Sequence, residues 1–201
     1  MNRISFPAEN RIKNLIKELG AYREIEAFQS KFGILHEEEG QILQMLIEIS
    51  NAQNVLEIGT RSGASALWMA RGLLKTGGRL TTIENFAERI EVARENFKKA
   101  GVENIITLLA GGAQDVIPLF KEKFDFVYSD ANKEQNLIYF ELFMPLVAEG
   151  GIIIAHDSIC EKDKMEDYLT VVKDHPQLDT VIVATANSQT GMAISYKKKC
   201  A

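Results

Sequence analysis

Cysteine is scarce in this 201-residue chain, which has two, Cys160 and Cys200. Neither their number nor their spacing supports a disulfide framework or a thiolate metal site. No stretch approaches the ~20 apolar residues of a membrane span. Residues 1–7 lack the apolar segment of a signal peptide. The expected location is therefore cytoplasmic, without a membrane partner. A cationic surplus is missing too: 23 Lys and Arg stand against 28 Asp and Glu, for a net charge of −5. Non-specific nucleic-acid affinity comes largely from such a surplus, so the balance argues against nucleic acid as the partner. The run Lys197-Lys198-Lys199 is short and reads as a solvated tail.

What is present is an ordinary globular composition, 46% hydrophobic and 25% charged, at a length that suits one domain. No linker, repeat or low-complexity tract divides it. The expectation is one domain over 1–201, with N-terminal helices in 1–50 packing on a cofactor-binding core at 54–197. Ile12, Leu15, Ile16, Leu19, Tyr22 and Ile25 fall at helical spacing, and a second helix carries Ile42, Met45, Leu46 and Ile49. The acidic run Glu37-Glu38-Glu39 before it suits a solvated first turn.

From residue 54 short apolar runs alternate with amphipathic stretches. Strands are predicted at Val55–Ile58, Leu80–Ile83, Ile105–Leu109, Phe124–Tyr128 and Ile152–Ala155, with helices following each. Continuous apolar strands separated by helices indicate a mostly parallel sheet covered on both faces. Gly77-Gly78 and Gly150-Gly151 read as chain reversals before the next strand. Val181–Ala184 and Met192–Ser195 are joined without room for a helix, so the seven-stranded sheet should end in an antiparallel hairpin.

Open α/β sheets bind ligands beyond the carboxyl ends of their strands. The first such turn here is Glu57-Ile58-Gly59-Thr60-Arg61-Ser62-Gly63-Ala64-Ser65. Gly59 and Gly63 let the backbone pass close to a ligand, and Ser65 lies at the helix start. Glu84 ends the second strand, where an acid can accept hydrogen bonds from ribose hydroxyls. Glu57 discriminates further, because a carboxylate there would repel a pyrophosphate. It suits a cofactor carrying an ammonium and a sulfonium, which favours S-adenosylmethionine over a dinucleotide.

With these residues the chain resembles the O-methyltransferases of the catechol and caffeoyl-CoA type over roughly residues 35–196. Gly40-Gln41-Ile42 is similar to the family's entry to its pre-core helix, and Val55–Gly59 with Gly63–Ala66 to its first cofactor motif. Gly111–Pro118 resembles its adenine loop. The resemblance implies a Rossmann-like class I methyltransferase fold. It also implies cofactor contacts at Glu57, Gly59, Arg61, Gly63, Ser65, Glu84, Ala113, Gln114 and Asp130. A homodimer is one open option, with the N-terminal helices packing on the domain or on a second subunit.

The resemblance further implies a divalent cation, Mg2+ or Mn2+, and a catalytic lysine. Asp130 and Lys133 follow the fourth strand, and His156 and Asp157 the fifth. Asp130, Lys133 and His156 are the implied catalytic residues; Asp130, His156 and Asp157 are the implied ligands. The family places aspartate then asparagine where this chain has His156 and Asp157. Imidazole is a poor ligand for Mg2+ and a better one for Mn2+, Fe2+ or Zn2+. Three readings stay open: an imidazole-tolerant metal site, a metal-free site with His156 as general base near its natural pKa, or structural polar residues. Successive strand residues point to opposite faces, so His156 and Asp157 converge only if the chain is already turning. Lys133 can act as a base if its neighbours depress its pKa. The catechol branch has a glutamate in the last hairpin, where this chain has Gly191-Met192-Ala193, which argues against a catechol. The expected acceptor is a small hydroxylated, aromatic molecule. The alternatives are a tRNA hydroxyuridine methyltransferase, or a cofactor-binding protein with lost or metal-independent activity.

Overall fold

The computed structural model describes residues 9–17, 35–184 and 189–199. Strand β1 (Asn54–Ile58) is buried at every position after its first. Its side chains alternate between two cores: Val55 joins one apolar cluster, and Leu56 and Ile58 the other. Strand β4 (Phe124–Ser129) repeats the pattern, with Phe126 and Tyr128 on one side and Val127 on the other. This period-2 division makes both sheet faces apolar, which is why the strands read as unbroken hydrophobic runs.

Three further strands run parallel to these: β2 (Arg79–Glu84), β3 (Ile106–Ala110) and β5 (Val147–His156). The sheet order is β3-β2-β1-β4-β5-β7-β6. Strand β7 (Met192–Lys197) runs antiparallel between β5 and the edge strand β6 (Leu178–Val183), giving the expected hairpin. Successive strands step outward one way from β1 to β3 and the other way from β4. The strand order reverses between β1 and β4, and open α/β sheets bind ligands in the crevice at the carboxyl ends of such a switch.

Helix α1 (residues 9–17) and helices α2 (Glu37–Ser50), α3 (Ala64–Thr76) and α4 (Ala87–Ala100) contribute to one core. Helices α5 (Ala113–Val116), α6 (Asn136–Phe143) and α7 (Glu166–Asp174) pack on the opposite face. Ile12 and Leu15 of the first predicted helix are buried, while Leu19, Tyr22 and Ile25 lie outside the described residues. No helix among the described residues is long and apolar enough to cross a membrane.

Two expectations need correction. Helix α2 buries Glu39, Gly40, Leu43 and Ile47, whereas Met45 and Ile49 of the predicted face are 57% and 75% exposed. The cause is Gly40: a side chain there would meet the Trp68 indole at 2.4 Å, so this glycine lets α2 sit directly on α3. The Gly150-Gly151 pair lies inside β5 rather than before it. It coincides with a register irregularity against β4 between Phe124 and Phe126.

Candidate functional site

The turn after β1 is held from both sides. Gly59 N–H donates to Ile83 O at 3.0 Å, and Asp130 N–H donates to Ile58 O at 2.9 Å. Gly59 has φ +95°, and a Cβ there would lie 2.8 Å from the Asp130 carbonyl oxygen. Only glycine allows the ends of β1 and β4 to approach so closely at this conformation. Arg61 also has a positive φ, and its N–H donates to Glu84 Oε2 at 2.8 Å. Glu84 is 3% exposed and accepts the N–H groups of Asn85 and Phe86 at 3.0 Å as well. These amides fix the carboxylate at the end of β2. Gly111 N–H donates to Glu84 O at 2.9 Å, bringing Ala113 and Gln114 of α5 to the next strand end. Gln114 is exposed there.

Glu57 and Ser65 lie beneath the turn. Glu57 is fully buried; Ser65 Oγ donates to Oε1 and Thr82 Oγ1 to Oε2, the latter at 2.5 Å. Its pKa is raised to about 8, chiefly by burial and also by the nearby Asp130 and Glu84, the two hydroxyls offsetting only part of the rise. The Ser65 hydroxyl is therefore turned toward Glu57.

The second cluster stands on β4 and β5. The parity of β5 puts His156 on the same face as Ile152 and Ile154, toward α2. Asp157 then leaves the strand at φ +62°, the turn that convergence of these neighbours requires. His156 Nδ1 lies 3.2 Å from Asp157 Oδ1 and 3.4 Å from Asp130 Oδ1. Lys133 Nζ donates to Asp130 Oδ1 at 2.6 Å and lies 3.0 Å from Asp157 Oδ2. Asp130, Lys133, His156 and Asp157 thus meet, as the sequence suggests.

Glu39 is the residue that sequence reasoning misses. It was expected in a solvated first turn, yet it is 1% exposed and its Oε2 lies 3.1 Å from His156 Nε2. His36 N–H donates to the same Oε2 at 3.0 Å, and Thr190 Oγ1 donates to Oε1. The available signal was its place three residues after the helix cap, where a glutamate reaches back to the cap amide. Met192, opposite His156 in the β5–β7 ladder, is fully buried core.

The charges decide what these groups can do. Burial alone would lower the His156 pKa; Asp130, Asp157 and Glu39 around both ring nitrogens instead raise it well above the ordinary value. Burial would raise Glu39, but His156, Thr190 and the His36 amide bring it down to about 2. Asp130 and Asp157 are likewise lowered against burial, mainly by Lys133 and His156. Lys133 is raised, because the two aspartates outweigh its desolvation. These directions run against a His156 that titrates near its natural value, and the aspartates raise Lys133 rather than depress it.

Asp130, His156 and Asp157 each offer a ligand atom, all within 4.8 Å of one another. Nδ1 of His156 is a buried nitrogen without a well-aligned hydrogen bond, facing both carboxylates. One imidazole and two carboxylates suit a borderline divalent cation. The residues present fit such a group.

A sequence profile described as O-methyltransferase matches residues 9–189. The chain is 34% identical over 160 residues to a catechol O-methyltransferase of Mycobacterium tuberculosis, covering 74% of this chain and 72% of that protein. It is 35% identical over 133 residues to a catechol O-methyltransferase of Niastella koreensis, covering 64% of this chain and 59% of that one. The match thus spans less than two thirds of the second relative's length. The crystal structure of an O-methyltransferase from Bacillus cereus in complex with SAH superposes with a TM-score of 0.79 at 25% identity, covering 94% of this chain and 91% of that one.

Proposed function

The chain belongs to the O-methyltransferase family, and from that premise we propose that it transfers a methyl group from S-adenosylmethionine to a hydroxyl of a small aromatic acceptor. The observation that carries this reading is the meeting of Asp130, Lys133, His156 and Asp157 beside the glycine turn. Relatives named catechol O-methyltransferase, and a neighbour holding SAH, support the acceptor class and the methyl donor. We read residues 1–201 as one domain.

In this reading the cofactor lies across the β1–β4 crevice. Glu84, already oriented by three amides, accepts the ribose hydroxyls. Gly59, Arg61 and Gly63 supply the close backbone, and Ala113 and Gln114 flank the purine. Glu57 lies beneath the turn, bonded to Ser65 at the start of α3 and to Thr82 of β2, and acts on the cofactor through the turn it supports. Asp130 closes the crevice from the β4 side.

A divalent cation would be held by Asp130, His156 and Asp157, and would supply Lewis-acid polarisation of the acceptor hydroxyl. The imidazole favours Mn2+ over Mg2+. The chain's own residues orient the acceptor oxygen beside the crevice, where much of the catalysis is positioning. Lys133 takes the hydroxyl proton only when something other than its own ammonium balances Asp130 and Asp157. The relatives give no support to the tRNA alternative, and the net charge of −5 argues the same way.

The test is transfer of labelled methyl from S-adenosylmethionine to a panel of catechol, monophenols and tRNA, with Mn2+, Mg2+ or a chelator. Label in a phenolic ether, stimulated more by Mn2+ than by Mg2+ and absent in Asp130→Ala, is expected. Label only in tRNA, or in no acceptor, would overturn the proposal.

A further inference from the structure

The Glu39–His156 pair links a helix of the N-terminal segment to the end of the fifth strand, across 117 positions of sequence. Both side chains are 1% exposed. A buried pair of this kind is weak evidence for stability, because desolvation opposes the attraction. Its geometry is more informative. A histidine that ligates a metal through one ring nitrogen usually gives its other N–H to a carboxylate, which fixes tautomer and ring orientation. Here Nε2 faces Glu39 at 3.1 Å, while Nδ1 faces the Asp130 and Asp157 carboxylates and has no aligned partner.

Glu39 is itself held in place. The His36 amide and the Thr190 hydroxyl bind it from the α2 cap and from the link before β7. Two separate elements therefore define where the carboxylate stands before the ring meets it. A glutamate serving only as a helix cap would need the His36 contact alone. It would have no reason to be sealed against a strand-end imidazole.

We propose that Glu39 is a positioning residue that locks His156 with Nε2 inward and Nδ1 presented to Asp130 and Asp157, so that the site selects an imidazole-accepting divalent cation over Mg2+. This rests on the reading of Asp130, His156 and Asp157 as a metal site. Nothing in it requires Glu39 to touch the substrate or the cation. Its effect passes through the ring: without the carboxylate the imidazole can flip or rotate, and the third ligand is no longer pre-set. Loss of such an outer carboxylate typically weakens metal affinity by about 10–100-fold.

Two measurements on the full chain test this. Zn2+-loaded protein with 15N-labelled histidine is examined by NMR, which identifies the ring nitrogen that carries the metal. Coordination through Nδ1 with Nε2 protonated is expected, and coordination through Nε2 overturns the proposal without recourse to any variant. Calorimetric titration with Mn2+ and Mg2+ then compares the wild type with Glu39→Gln, whose single amide oxygen can still accept the His36 N–H while its NH2 meets the Thr190 hydroxyl, which can turn to accept. The variant should bind Mn2+ about 10–100-fold more weakly, with a narrowed preference over Mg2+. Equal Mn2+ affinity in both proteins overturns the role of Glu39 and leaves the metal site standing. No Mn2+ binding by the wild type removes the metal site itself, and this inference with it.

Discussion

Replacing Gly59 by alanine should damage the protein through two separable effects, and Gly77 supplies the control for one of them. Gly59 has φ +95° and Gly77 φ +81°, so either alanine would sit in a conformation that L residues rarely adopt. That strain costs about 1–2 kcal/mol. A Cβ at Gly77 meets nothing within 4 Å, so its cost ends there. At Gly59 the new carbon would lie 2.8 Å from Asp130 O, 3.0 Å from Asp130 C and 3.1 Å from Ala131 N, all of them backbone. Backbone cannot rotate away as a side chain does, so β1 and β4 must part by about 0.5 Å to restore ordinary contact. The hydrogen bonds that pin this approach, Gly59 N–H to Ile83 O and Asp130 N–H to Ile58 O, are then loosened. Each is worth about 1 kcal/mol.

The expected totals are about 3–4 kcal/mol for Gly59→Ala and about 1–2 kcal/mol for Gly77→Ala. For a chain of this size that separates their melting temperatures by roughly 4–8 °C. Urea denaturation measured alongside gives the free energies directly. The Gly59 variant should also lose methyl transfer on the order of tenfold or more, because Asp130 moves with the strand end. Equal melting temperatures for the two variants, with wild-type activity in Gly59→Ala, would refute the close-approach argument.

Two further outcomes follow from the charges. The Glu57 pKa, raised to about 8, lies above its unfolded value of 4.5, so the group contributes stability below about pH 4.5 that is lost as pH rises through 8. Glu57→Gln should remove that loss, worth up to about 5 kcal/mol, in urea titrations compared at pH 5 and pH 9; parallel profiles for the two proteins would contradict it. Lys133→Met leaves Asp130 and Asp157 without their bridging ammonium and should cost about 3–5 kcal/mol. Added Mn2+ should raise the melting temperature of that variant more than that of the wild type, and an equal rise would speak against a shared carboxylate site.

The sheet was legible because its strands are buried on both faces and appear as apolar runs, while the helices between them keep a polar side. Edge strand β6 was legible only in part. It begins at Leu178, three residues before the predicted start, because Asp179 is exposed and Thr180 half-buried on an edge that one apolar core covers. The orientation of α2 was hidden for another reason. Ile42, Met45, Leu46 and Ile49 make a good helical stripe, and what turned the helix was the absence of a side chain at Gly40 against Trp68.

The glycine turn, Glu84 and the Asp130–Lys133 pair were legible because each sits at a strand end set by local pattern. Glu39 was not, since a glutamate in an acidic first turn looks solvated until the partner on β5 is known. Similarly, the direction of the Lys133 and His156 shifts depends on aspartates brought together only by the crossover from β4 to β5. The sequence contains the groups; their mutual distances decide whether a lysine is a base or an ammonium.

Calorimetric titration of S-adenosylmethionine into the wild-type chain and into Glu84→Ala tests the central claim most directly. Hydrogen bonds to a charged group are worth about 1.5–3 kcal/mol, so the wild type should bind and the variant should bind roughly 10–150-fold more weakly. No binding by the wild type, or equal binding by both proteins, would contradict a cofactor seated at the ends of β1 and β2.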